Sequence, residues 1–178
     1  SISNCQEGLS RVTLGNFLIK RVVYEIQEEL PNIKNFGTLS PIPGFRDWFI
    51  TLDDKIIQNI LGKIPYNNVS FLKSKDLKIG DGRIVSNKQA IIRLVSHYLM
   101  NEKNKKGHPI NDVCRFHLGN GAIIDDININ ANVSEVGFKR SYGVMVNYLY
   151  ELKNIEKNHE EYINDKKIII SGQLKKKL

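Results

Sequence analysis

Cysteine is scarce in this chain of 178 residues, and so are tryptophan and methionine, with two, one and two copies. Cys5 and Cys114 lie far apart and fit no metal-ligand or redox spacing, so both read as reduced thiols in a reducing compartment. No apolar run approaches the ~18 residues that a membrane-crossing helix needs, which excludes that class of membrane protein. No carboxylate–histidine spacing of the zinc type is present. No internal repeat is found. The chain starts at Ser1, not Met, and no signal-peptide pattern follows, so it reads as a piece of a longer protein.

What is present belongs to an ordinary globular domain with a real core. The hydrophobic fraction is 41% and the charged fraction 25%. Net charge is +7, but the lysines are dispersed apart from Lys103-Lys105-Lys106 in a polar loop and Lys175-Lys176-Lys177 at the end. Such runs are more often solvated loops and tails than a nucleic-acid footprint, so no nucleic-acid partner is expected. A milder consequence is attraction of a small polyanionic ligand.

The pattern of elements alternates. Residues 1–5 read as the end of a strand. Leu14 to Leu30 reads as a helix, with Leu14, Leu18, Val22 and Ile26 on one face, Ile19, Val23 and Leu30 beside it, and Pro31 as the stop. Asn35 to Leu39 is a short strand and Arg46 to Leu61 a second helix, closed by Gly62. Residues 64–85 are irregular and read as an exposed, mobile insertion. Ser86-Asn87-Lys88-Gln89 resembles a capping box that opens a third helix, with Ala90, Ile91, Leu94, Val95, Tyr98 and Leu99 as its buried face. A short helix starts at Pro109 and ends at Gly119-Asn120-Gly121. A strand over 122–131, a helix over 134–141, a strand over 144–150 and a polar helix over 154–163 follow, then a basic tail over 164–178. Strands alternating with helices predict an α/β or α+β domain.

Three places could carry chemistry. In Gly37-Thr38-Leu39-Ser40-Pro41-Ile42-Pro43-Gly44-Phe45, the prolines lack an amide hydrogen and end the ladder, so Ser40 is pinned at a strand end. The bland alternative is a turn serine. At the start of the first helix, Ser10, Arg11, Val12, Thr13, Leu14, Gly15 and Asn16 could hold an anion on free amides, though every helix has an N-terminus. His117, at a helix end before a glycine-rich turn, could act as acid or base near neutral pH, or simply cap the helix. His97 reads as packing, and His108 and His159 as solvated. Ser40 and His117 could in principle belong to a triad, but no Gly-x-Ser-x-Gly elbow surrounds Ser40.

Five blocks in order then match a known family: residues 1–9, 14–20, Thr38 to Phe45, Arg115-Phe116-His117-Leu118-Gly119-Asn120-Gly121-Ala122, and Val144 to Tyr150. The chain resembles the C-terminal catalytic domain of malonyl-CoA decarboxylases over most of residues 1–163. The resemblance implies a fold like that of the Gcn5-related N-acetyltransferases, a mixed sheet flanked by helices, with the first strands of the fold and a helical N-terminal domain missing. It implies that Ser10 to Asn16 binds the CoA pyrophosphate. It implies Ser40 and His117 as the catalytic pair, with Tyr150 beside them.

The implied reaction is decarboxylation of malonyl-CoA to acetyl-CoA. No cofactor is expected, because the thioester itself is the electron sink. The implied partner is malonyl-CoA, with homo-oligomers formed through the missing domain, and the expected compartment is a bacterial-type cytoplasm or, alternatively, a mitochondrion or peroxisome. Asn130 and Asn132 stand near places where the family often has Trp and Asp. The ending Lys176-Lys177-Leu178 departs from the peroxisomal Ser-Lys-Leu address. Two other readings stay open: an acyl-CoA acyltransferase of the same fold, and an inactive acyl-CoA sensor.

Overall fold

The computed structural model describes residues 14–178, with the side chains of Ile19 and of residues 21–178. Its centre is a sheet of three strands, β1 (Phe36–Pro41), β2 (Ile123–Asn128) and β3 (Met145–Tyr150), in the order β1-β3-β2. Both pairings are antiparallel. The sequence resemblance led us to expect a mixed sheet; among the described residues the one parallel pairing is a single bridge between Ile124 and Ile170. The architecture is thus α/β, with a small antiparallel sheet flanked by helices.

Alternation on the central strand sets the inner face. Val146, Tyr148 and Tyr150 are buried, and the residues between them are half-buried. The register sets Ser40 opposite Val146, Thr38 opposite Tyr148 and Phe36 opposite Tyr150, so the three β1 residues share that face. On β2 the register slips between Ile124 and Asp126. That bulge places Ile124 against Tyr148 and Ile127 against Val146, keeping both isoleucines inside.

Helix α1 (Leu14–Glu29) matches the predicted span, and of its expected apolar residues Ile19 and Ile26 are half-buried. Val23 is buried, whereas Val22 and Leu30 are exposed. The single helix predicted over 46–61 is two, α2 (Phe45–Thr51) and α3 (Asp54–Leu61). Leu52 and Asp53 take extended backbone between them. Aspartate is a weak residue inside a helix, and Asp53 and Asp54 are better placed at a positive N-terminal end. Lys73 then satisfies the break: its Nζ donates to the Leu52 carbonyl at 2.6 Å and to Asp54 at 2.9 Å. Gly62 ends α3 at φ 63°, as its position suggested.

Residues 64–85 are not an exposed insertion. Two short 3-10 turns, Tyr66–Asn68 and Ser70–Lys73, lead to helix α4 (Gly82–Ser86). Val69, Leu72, Leu77 and Ile84 are buried in the core. Their spacing follows neither the strand nor the helix period, so no pattern announced them. Ser86 closes α4 rather than opening a capping box. Asn87 caps α5 (Lys88–Met100) without a side-chain hydrogen bond. The predicted inner face of α5 is buried throughout.

Helix α6 (Asp112–Gly119) starts three residues after Pro109, capped by Asn111. Ser134 caps α7 (Glu135–Ser141), which packs on α2 and β1. Helix α8 (Ile155–Asp165) runs past the boundary expected at residue 163. The expected basic tail is instead folded. Helix α9 (Gly172–Lys177) buries Leu174 and lies against β2. Ser171 anchors it, donating through Oγ to the Asp125 carbonyl at 2.7 Å and accepting from the Leu174 amide at 3.1 Å. Arg93 donates to the Leu178 carbonyl, and Lys177 pairs with Asp126 at 2.5 Å.

Candidate active site

Ser40 lies near the end of β1, which is an edge strand among the described residues, and is only 6% exposed. Pro41 closes that strand opposite Met145. An edge position tolerates a residue with no amide hydrogen. Gly44 follows at φ 81° as the cap of α2, where a Cβ would come within 2.8 Å of the Tyr98 hydroxyl. A side chain at residue 44 would therefore be strained and crowded. The Tyr98 hydroxyl donates to the Pro43 carbonyl at 2.9 Å, and Asn111 Nδ2 donates to the same carbonyl at 2.8 Å.

Asn111 also caps α6: its Oδ1 accepts from the Cys114 amide at 2.8 Å. One buried amide therefore ties the loop after Ser40 to the helix that carries His117.

His117 occupies the last turn of α6 with its side chain inside, 6% exposed. Its Nε2 is 3.1 Å from Ser40 Oγ and its Nδ1 is 2.7 Å from the Tyr150 hydroxyl. Thr38 Oγ1 is 2.9 Å from Ser40 Oγ. The result is a row of four polar groups: Thr38, Ser40, His117 and Tyr150. Aromatic rings hold the imidazole in place. Tyr148 stacks on it, with centroids 4.3 Å apart and planes at 22°, and Phe116 meets it edge-on at 5.2 Å.

Burial lowers the His117 pKa from 6.5 to about 4, because the interior disfavours the charged ring. At neutral pH the imidazole is uncharged and carries one hydrogen. The Tyr150 hydroxyl has no other partner among the described hydrogen bonds, and burial raises its pKa, so it keeps its proton and donates to Nδ1. The ring hydrogen then sits on Nε2, directed at Ser40. The arrangement can hold a neutral donor pair, Nε2–H and the Ser40 hydroxyl, in a dry setting. Such a setting suits stabilisation of a negative charge that develops on a ligand oxygen.

Ser40, His117 and Tyr150, singled out in the sequence, therefore meet in one site. Ser10, Arg11, Val12 and Thr13 lie outside the described residues, as do the side chains of Leu14 and Asn16; the backbone of Leu14, Gly15 and Asn16 opens α1. The strand expected over 1–5 and Cys5 also lie outside them. Cys114 is buried in α6, and burial pushes its thiol up to about 12, so it is an inert packing group.

The other histidines have partners. His97 stacks on Trp48. His108 meets the Tyr162 hydroxyl at 3.1 Å, and His159 the Gly119 carbonyl at 2.7 Å, so neither is simply solvated. Among the described residues no group of three or more His, Cys, Asp or Glu could hold a metal ion.

Sequence reasoning missed Thr38, Tyr148 and Asn111. The first two had a signal, since each lies two residues before a residue of the site and shares its strand face. Asn111 had none.

Comparison with known proteins agrees with the resemblance of the motif blocks. The family described as malonyl-CoA decarboxylase C-terminal domain matches residues 1–178. The mitochondrial malonyl-CoA decarboxylase of Rattus norvegicus is 38% identical over 197 residues, which is 98% of this chain and 39% of that protein. Its counterpart in Mus musculus is 37% identical, with the same coverage. Among solved structures, malonyl-CoA decarboxylase from Rhodopseudomonas palustris superposes with a TM-score of 0.87 at 38% identity, over 99% of this chain and 40% of that one. The enzyme from Cupriavidus metallidurans gives 0.80 at 38% identity, over 100% and 47%. The chain thus spans less than half the length of the proteins it matches.

Proposed function

This chain belongs to the malonyl-CoA decarboxylase family, and from that premise we propose that it carries the site at which malonyl-CoA loses carbon dioxide to give acetyl-CoA. The observation that supports this reading best is the buried row Ser40–His117–Tyr150.

The carbon–carbon bond to the carboxylate breaks. Its electron pair moves into the thioester as an enolate while carbon dioxide leaves. The Ser40 hydroxyl donates to the thioester oxygen as it becomes negative, a contribution of roughly 3 kcal/mol for a preorganised donor of this kind. The enolate is a strong base and takes its proton at carbon from His117 Nε2–H, while the Tyr150 hydroxyl, 2.7 Å from Nδ1, passes its own proton to that nitrogen, so the ring stays neutral and the negative charge ends on the Tyr150 oxygen. A proton returns from water once product has left, so one proton is consumed per carbon dioxide released. In the resting site Tyr150 keeps the hydrogen on Nε2. The Ser10 to Asn16 segment remains the proposed holder of the CoA pyrophosphate.

The test is acetyl-CoA formation from malonyl-CoA by the complete protein, with His117→Ala and Ser40→Ala beside it. Each variant should lose on the order of 10²–10⁴ in kcat. No turnover by the unaltered protein, with CoA thioesters still bound, would leave an acyl-CoA sensor instead. Full turnover by His117→Ala would remove the imidazole from the mechanism.

A further inference from the structure

Ser40 has two polar neighbours, not one, and its hydrogens can be counted. A hydroxyl has one hydrogen and two lone pairs. His117 Nε2–H, fixed by the Tyr150 hydroxyl, takes one lone pair of Ser40 Oγ at 3.1 Å. Thr38 Oγ1, 2.9 Å away, has no other partner among the described hydrogen bonds. If Thr38 donates, the second lone pair is filled too. The Ser40 hydrogen is then the one left over, directed neither at the histidine nor at the threonine.

The backbone is arranged to hold Thr38 at that place. Threonine is β-branched, so its hydroxyl has few positions. Residues 38 and 40 share a face of β1, and Thr38 stands opposite Tyr148, the ring on which His117 stacks. Asn147 Nδ2 donates to the Thr38 carbonyl at 2.7 Å and pins the strand at this pair.

We propose that Thr38 is a positioning residue that, together with His117, fills both lone pairs of Ser40 and so turns the Ser40 hydroxyl into a committed donor to the ligand's thioester oxygen. The proposal rests on the decarboxylase reading for its ligand, but not for the geometry of Ser40.

Thr38→Val keeps the branched shape of the side chain and removes only the hydroxyl; Thr38→Ser keeps the hydroxyl. In the complete protein, Thr38→Val should lower kcat about tenfold with KM within about twofold, as expected for loss of a hydrogen bond that acts mainly in the transition state. Thr38→Ser should restore most of that rate. In a Ser40→Ala background, Thr38→Val should cost less than about twofold, because Thr38 acts through Ser40.

Wild-type rates for Thr38→Val, or an equal loss in both backgrounds, would overturn the proposal while leaving the Ser40 result intact. A crystal structure of Thr38→Val gives a readout that needs no turnover. Ser40 should leave its single rotamer there and keep it in Thr38→Ser. A Ser40 unmoved in Thr38→Val overturns the proposal even if no decarboxylation is found.

Discussion

His117 has hydrogen-bond partners on both ring nitrogens and a π-stacked neighbour, yet its pKa falls. The cause is burial, and among the described residues no carboxylate faces the ring to offset it. The sign for stability follows. As pH drops through 6.5 the unfolded chain takes up a proton on this histidine, while the folded chain waits until about 4. Stability therefore declines across that window and levels off below it, by up to roughly 3 kcal/mol from this residue. His108 is also lowered by burial and acts in the same direction. Urea unfolding at pH 7 and at pH 4 should thus show a drop that is clearly smaller in His117→Gln. The pH profile of kcat/KM tests the same residue: the acid limb from His117 should lie near pH 4. An acid limb at 6.5 that vanishes in His117→Gln would show a solvated ring.

At the scale of the element, the Ser40–His117 pair is made by two short pieces, the end of β1 and the last turn of α6. Neither is long enough to be stable alone. Asn111 holds them together by capping α6 and donating to the Pro43 carbonyl. Asn111→Ala would lose a cap, worth ~1 kcal/mol. It would also take one donor from the Pro43 carbonyl, which then keeps Tyr98 as its remaining partner. Together these should lower stability by about 1–3 kcal/mol in denaturant unfolding. Activity should fall further than the folded fraction does, because Ser40 and His117 would no longer be held at one spacing. A loss of activity that merely tracks the unfolded fraction would reduce Asn111 to a cap.

On the scale of the whole molecule, the two segments that looked expendable complete the core. Residues 64–85 bring Val69, Leu72 and Ile84 inside, and the Tyr142 hydroxyl donates to the Leu72 carbonyl at 2.9 Å. Residues 166–178 cover β2 with α9. Leu174 is fully buried there, so Leu174→Ala should destabilise the fold by about 2–5 kcal/mol. A change of less than 0.5 kcal/mol in the same unfolding measurement would mean that the segment is a tail after all. Among the described residues, no helix is long and apolar enough to cross a membrane.

The sequence by itself determined the strong periodic elements, the inner face of α5, the strand that carries Ser40, though it runs one residue further to Pro41, and the family. It also pointed to Ser40, His117 and Tyr150, through ordered motif blocks that depend on local residue identity. It did not determine that Val22 and Leu30 of α1 stay exposed, where the 46–61 helix breaks, or that 64–85 and 166–178 fold inward. Those outcomes depend on partners distant in the chain, such as Lys73 for the Leu52 carbonyl and Asp125 for Ser171. Only the tertiary structure decided the protonation of the site. A histidine reads the same in any sequence, but its charge depends on how much water the surrounding fold removes. Here the Tyr148 ring and the inner face of the sheet remove nearly all of it.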